Sequence, residues 1–158
     1  MVLVIGKAGR HIPESTALDH IAAITLCNEG TIRDWVRHAK FNVTQGKNFD
    51  STGSLGPWLV PYTDESQIAD IRLTHAGQRR ELRQDDRTGR LIFGFRYLIN
   101  YHLDLHHAGA RRRHRHGNAD RRRRAVRSAA LSANPATSVE VEAENIGVLR
   151  NGVVDEDT

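Results

Sequence analysis

Apolar residues open the chain. Val2 to Ile5 is an unbroken apolar run ended by Gly6, which predicts a buried strand. Pro13 to Ala23 begins with proline and sets Ala17, Ile21 and Ala22 near helical spacing, predicting a short helix. Ala23 to Cys27 is apolar enough for a strand that delivers Glu29 to its end, and Thr31 is a candidate N-cap for a helix through Ile32, Arg33, Asp34 and Trp35. A Gly/Ser loop follows from Ser51 to Pro57, then a strand over Trp58 to Val60 closed by Pro61. Asp64 to Asp70 suits a helical turn, and Ile71 to Thr74 a strand. Arg90 to Tyr101 carries Leu91, Phe95, Leu98 and Ile99 at helical offsets, with Gly94 a mild penalty. Near the end, Val139-Glu140-Val141-Glu142 alternates with period two, and Asn151-Gly152 is a turn signal, so Ser138 to Val154 is predicted as a β-hairpin. No internal repeat is found.

At 158 residues the chain has the length of one domain. Cys27 is its single cysteine, so no intrachain disulfide can form and a reducing compartment fits. No apolar run is long enough for a bilayer span, and the start shows no charged signal-peptide region, so the expected location is the cytoplasm. The net charge of +4 is local in origin. His102 to Ser128 holds nine arginines against Asp104 and Asp120, a local excess of seven that leaves the rest three negative. Outside that segment the composition is that of a mildly acidic protein.

Candidate chemistry gathers between Cys27 and Pro61. Glu29, the Arg33-Asp34-Trp35 cluster and Lys47 within Gly-Lys-Asn-Phe-Asp all precede a Gly-Pro-Trp turn. Acid, lysine and glycine turns on loops suit a metal- or anion-binding pocket. The same residues also suit an ordinary polar loop region with its charges in water.

The order of four motifs goes further. Val-Ile-Gly-Lys (Val4 to Lys7), Cys-Asn-Glu followed by Ile-Arg-Asp-Trp, Gly-Lys-Asn-Phe-Asp, and Gly-Pro-Trp-Leu-Val-Pro together resemble the fumarylacetoacetate hydrolase family. The resemblance is greatest to members that isomerise or decarboxylate 2-hydroxy-diene dioic acids in aromatic catabolism. It implies an α+β fold, a mixed rolled β-sheet with a few short helices. It also implies a divalent cation, Mg²⁺ or Mn²⁺, that chelates the substrate carboxylate and neighbouring oxygen and stabilises an enolate. By the same resemblance Glu29 is a metal ligand, at a place where Asp is commoner in relatives. Lys47 is the catalytic lysine facing developing oxyanion charge. Arg33 and Asp34 form a supporting ion pair. Without the resemblance, Glu29 would read as a solvated strand-end acid and Lys47 as a surface lysine. The implied partners are a small dicarboxylic 2-oxo or enol acid and, for an intact member, a second copy in a homodimer. Acylpyruvate-type C–C hydrolysis is the alternative chemistry and would need an upstream His-Glu pair to activate water. The family's Glu-x-Glu ligands belong just before Val-Ile-Gly-Lys, so this chain is expected to be an incomplete and inactive copy.

Three segments are therefore expected: 1–101 as a partial catalytic domain, 102–138 as an Arg/His-rich segment, and 139–158 as a hairpin with an acidic tail. Residues 102–138 have no hydrophobic period and few bulky aliphatics, so disorder is expected there. A nucleic-acid tail would neutralise phosphates with arginine but lacks interleaved aromatics. A metal site built from His102, His106, His107, His114 and His116 lacks an acidic or cysteine partner. Out-of-frame translation is the favoured reading. Read one base later, with G or C at most degenerate positions, the segment can yield Pro-Gly-Asp-Val-Ile-Val-Thr-Gly-Thr-Pro-Thr-Gly. That contains the glycine-threonine loop the family shows at this place. A similar shift gives Thr-Arg-Val-Asn-Gly, a hairpin turn, over His75 to Arg79, and another gives Pro-Gly-Asp-Val just before Val139.

Overall fold

A computed structural model describes residues 1–38, 40, 43–77, 81–105, 113–115 and 138–154, with backbone alone for Arg33, Val43, Leu105 and 113–115. Strand β1 (Val2–Ile5) lies against β2 (Ile21–Glu29), with Leu3 opposite Ile24. The other side of β2 carries β3 (Gly53–Pro61), with Cys27 opposite Leu55 and Glu29 opposite Gly53. The far side of β1 carries β6 (Arg113–Arg115), so the first sheet runs β3-β2-β1-β6. A second sheet, ordered β5-β4-β7-β8, joins β4 (Arg72–Ala76), β5 (Leu82–Arg87), β7 (Ser138–Ala143) and β8 (Gly147–Gly152). Every described pairing is antiparallel. The expected α+β class holds. Among the described residues the strands form two four-stranded antiparallel sheets, accompanied by short helices.

One core serves both layers. Leu3, Ile5, Ile24 and Leu26 are fully buried from the first sheet, and Val141, Ala143 and Leu149 meet them from the second. After the short α3 (Ser66–Ala69), helix α4 (Phe95–Leu105) adds Phe95, Ile99 and Leu103, a stripe at i, i+4 and i+8. Each such side chain contributes roughly 1.5–3 kcal/mol when withdrawn from water. The buried hydroxyl of Thr25 lies 2.7 Å from the Trp58 carbonyl and 3.0 Å from that of Gly56, so its burial is compensated.

Several expected elements sit elsewhere. Helix α4 starts at Phe95, its first turn closed by the Leu98 N–H on the Gly94 carbonyl, and runs past the expected end at Tyr101. The expected helix at 13–23 is a 3₁₀ segment, Glu14–His20, because Ile21 and the residues after it are drawn into pairing with β1. The β7–β8 hairpin turns at Glu144 to Ile146, not at Asn151-Gly152. Asn145 takes the left-handed φ of 63° and Gly147 a φ of 120°, while Asn151 and Gly152 pair with Val139 and Ser138. That register keeps Val139, Val141 and Ala143 on the core face. Strand β5 was implied only by the hairpin turn of the shifted reading over His75 to Arg79, not by its own residues.

Of the expected disordered segment 102–138, residues 106–112 and 116–137 lie outside the described residues. Of its remaining parts, His102–Leu105 finish α4, Arg113–Arg115 pair with β1 as β6, and Ser138 begins β7. The acidic tail from 155 also lies outside.

Candidate functional site

Between β2 and β3 the chain leaves the sheet at residue 30 and returns at residue 52. The Gly30 N–H donates to the Thr52 carbonyl at 2.9 Å and closes the base of this excursion. A Cβ on Gly30 would lie 2.4 Å from that oxygen, so only glycine permits the approach. The excursion holds α1 (Arg33–His38) and α2 (Val43–Lys47), joined where the Ile32 N–H donates to the Gly46 carbonyl at 2.8 Å.

Glu29 is the last residue of β2 and Lys47 the last of α2, so the excursion brings them together. Lys47 Nζ donates to Glu29 Oε2 at 2.8 Å. The pair borders an open cleft of about 430 Å³ whose described lining continues through Asn48, Phe49, Asp50, Ser51 and Thr52 to Ser54 and Leu55. The cleft rim is held by hydrogen bonds. Thr52 Oγ1 donates to the Phe49 carbonyl at 2.7 Å, and Ser54 Oγ donates to Asn151 Oδ1 of β8 at the same distance. Phe49 meets Trp35 edge-on at 5.4 Å between ring centroids, and Trp35 meets His38 at 5.5 Å. Trp35 and Trp58 are exposed at the surface and do not enter the core.

Two of the four sequence-derived site residues, Glu29 and Lys47, are thus neighbours in one cleft. Asp34 is exposed in the first turn of α1 and is not among the described lining residues. The side chain of Arg33, and with it the expected Arg33–Asp34 ion pair, lies outside the described residues. Sequence reasoning missed Asp50, Ser54 and Asn151. Asp50 closes the Gly-Lys-Asn-Phe-Asp motif and could have been taken from it. Asn151 is far away in the chain, with no local signal.

Among the described residues, no three His, Cys, Asp or Glu side chains converge as a metal-holding group. Glu29 offers one carboxylate, already in contact with an ammonium, whereas Mg²⁺ and Mn²⁺ want near-octahedral oxygen cages. The described residues alone do not fit such an ion. What they place at the cleft is one ammonium, that of Lys47, paired with the Glu29 carboxylate. Among the described residues, no helix is long and apolar enough to cross a membrane.

The family profile "fumarylacetoacetate (FAA) hydrolase C-terminal" matches residues 1–104. The 4-hydroxyphenylacetate degradation bifunctional isomerase/decarboxylase of Salmonella dublin is 34% identical over 106 residues, covering 64% of this chain and 23% of that protein. Its Escherichia coli namesake is 29% identical over 163 residues, covering the whole chain and 35% of that protein. The fold is shared with a 5-carboxymethyl-2-hydroxymuconate delta-isomerase from Mycobacterium smegmatis, at a TM-score of 0.79 and 22% identity over 99% of this chain and 57% of that one. It is also shared with a fumarylpyruvate hydrolase from Pseudomonas aeruginosa, solved with Mn²⁺ and pyruvate, at a TM-score of 0.73 and 20% identity over 98% of this chain and 64% of that one. The chain thus spans about a third or less of the full length of these two curated relatives. The match runs through every motif that carries Glu29 and Lys47, and on it the chain belongs to the fumarylacetoacetate hydrolase family.

Proposed function

We propose that the chain is part of an enzyme of aromatic catabolism that acts on 2-oxo or 2-hydroxy-diene dioic acids by isomerisation or decarboxylation. The observation that carries this is the Lys47–Glu29 pair on the rim of an open cleft. A lysine held there by one carboxylate exchanges that partner for the carboxylate or enolate of an incoming acid. Lys47 then stabilises negative charge as it develops on the substrate oxygen. Mg²⁺ or Mn²⁺ is the cofactor the family implies, with Glu29 as the ligand this chain offers. Among its described residues no three His, Cys, Asp or Glu side chains converge on such an ion, so this chain is proposed to bind such an acid without turning it over. Acylpyruvate-type hydrolysis would need a water-activating base beyond those described. A homodimer and a cytoplasmic home belong to the same proposal; light scattering behind gel filtration tests the former.

Binding of a 2-oxo dicarboxylate such as 2-oxoglutarate, followed by calorimetry, tests the central claim. Lys47→Ala should weaken it at least tenfold, and Glu29→Gln, which removes the competing carboxylate, should strengthen it. Unchanged affinity in Lys47→Ala overturns the assignment.

We further propose that residues 102–138 are translated out of frame. What supports this is the place of β6, set against β1, where Val2 and Leu3 are fully buried. The residues at this strand are Arg113, His114 and Arg115, poor partners for an apolar strand. One base later, the same three codons can read Val-Ile-Val. The family match also ends at residue 104. Sequencing the coding DNA decides it: single-base discontinuities are expected near Thr74 and Tyr101. Stop codons, or no Thr-Gly-Thr-Pro in the shifted frame, would leave the arginines as a genuine phosphate-binding segment.

A further inference from the structure

Phe49 has no part in the reading above, yet it lines the same cleft as Lys47. Its side chain is 40% exposed although it is among the largest apolar groups of the chain. Among the described lining residues only Phe49 and Leu55 are apolar; the rest are charged, polar or glycine. The ring is also fixed. Trp35 packs edge-on against it at 5.4 Å, and the Phe49 carbonyl is held by Thr52 Oγ1 at 2.7 Å. A pre-positioned aromatic surface two residues from an ammonium presents one charged and one flat apolar contact to the same ligand.

We infer that Phe49 is a specificity-determining residue: its ring selects acids whose carbon skeleton is planar and conjugated, while Lys47 takes their carboxylate or enolate oxygen. This deepens the function proposed above and rests on it. The physics is asymmetric between the two contacts. Lys47 sees charge and does not distinguish a conjugated diacid from a saturated one of equal length. An aromatic face does, because flat π-systems stack on it with a preference beyond their buried area. That preference corresponds to roughly a threefold to tenfold difference in affinity.

The test compares muconate, a conjugated six-carbon diacid, with adipate, its saturated counterpart of the same length and charge. Affinity is read without turnover from Trp35 emission in a Trp58→Phe chain, where Trp35 is the one remaining tryptophan. The unsubstituted cleft should bind muconate about threefold to tenfold more tightly than adipate. Phe49→Ala should bring the two affinities together, mainly by weakening muconate. Phe49→Leu, which keeps apolar bulk without the ring, should do nearly the same. Lys47→Ala should weaken both acids alike. Equal affinities in the unsubstituted cleft, or a muconate preference that survives Phe49→Ala, overturn the role of Phe49 and leave that of Lys47 standing. Failure to bind either acid overturns both.

Discussion

Lys47 and Glu29 are separated by the whole α1–α2 excursion, and the lysine nevertheless donates to the carboxylate at 2.8 Å. The contact is a latch between a sheet edge and the loop that leaves it. Both side chains are partly open to solvent, so its contribution to stability is small, about 0.2–1 kcal/mol. A double-mutant cycle with Lys47→Ala and Glu29→Ala in urea should return a coupling in that range. A coupling several times larger would mean that the pair is a structural strut and not an exchangeable partner for a ligand.

The lone described carboxylate at the cleft's β2 end has a direct consequence for metals. Calorimetry with Mg²⁺ or Mn²⁺ should show only weak binding without fixed stoichiometry, unchanged by Glu29→Ala. A one-to-one site that this substitution abolishes would contradict the reading of the described residues as too few.

Thr25→Val should cost about 1–3 kcal/mol, because it removes the one hydroxyl donor shared between the Gly56 and Trp58 carbonyls. Thr25→Ser keeps the hydroxyl and should recover most of the loss. Urea midpoints of the two variants measure the difference directly.

Gly30→Ala should destabilise by more than its small added volume suggests, about 1–3 kcal/mol, because a Cβ meets the Thr52 carbonyl and not a side chain that can turn away. Hydrogen exchange should show protection falling at Gly30 and Ile32 while the amides of β1 keep theirs.

Acid should weaken the second sheet before it weakens anything else. Burial, with a smaller push from Arg83, holds the His75 imidazole below its ordinary value. Its neutral form therefore favours the fold fully above the unfolded value of about 6.5, and that contribution is lost as pH falls toward the folded value. Further down, the Arg96 guanidinium holds the Glu65 carboxylate below its usual range, and Arg72 does the same for Asp85. Their support is present above the unfolded carboxylate range and lost as pH falls through the depressed folded values. Stability followed from pH 7.5 to 5 should decline, and His75→Gln should flatten that slope while leaving the carboxylate phase below it intact.

What the sequence revealed and what it hid divide by range. The stripe of α4 was legible because Phe95 and Ile99 sit one turn apart, and β1 because four apolar residues run unbroken. Glu29 and Lys47 were legible only as members of ordered motifs; nothing local says that their side chains touch. Strand β5 was hidden because Leu82-Arg83-Gln84-Asp85-Asp86-Arg87 has no apolar alternation. It is held instead by its ladder to β4 and by the two-pronged Arg72–Asp85 ion pair across it. The hairpin turn was misplaced because Asn-Gly is a strong local signal, and burial of Val139 and Val141 against the core overrode it. The Ser54–Asn151 contact could not be seen, since its partners come from two different sheets.

The closed base at Gly30 and Thr52 makes the segment between them a cassette. Both of its ends are fixed by one backbone hydrogen bond, and the apolar core of the two sheets lies elsewhere along the chain. Lys47, Phe49 and Trp35 therefore sit where residues can be exchanged, lengthened or grafted from a relative at little cost to the scaffold. The cleft and the core draw on largely separate sets of positions, so in this protein one can be changed by selection or by design while the other is left alone.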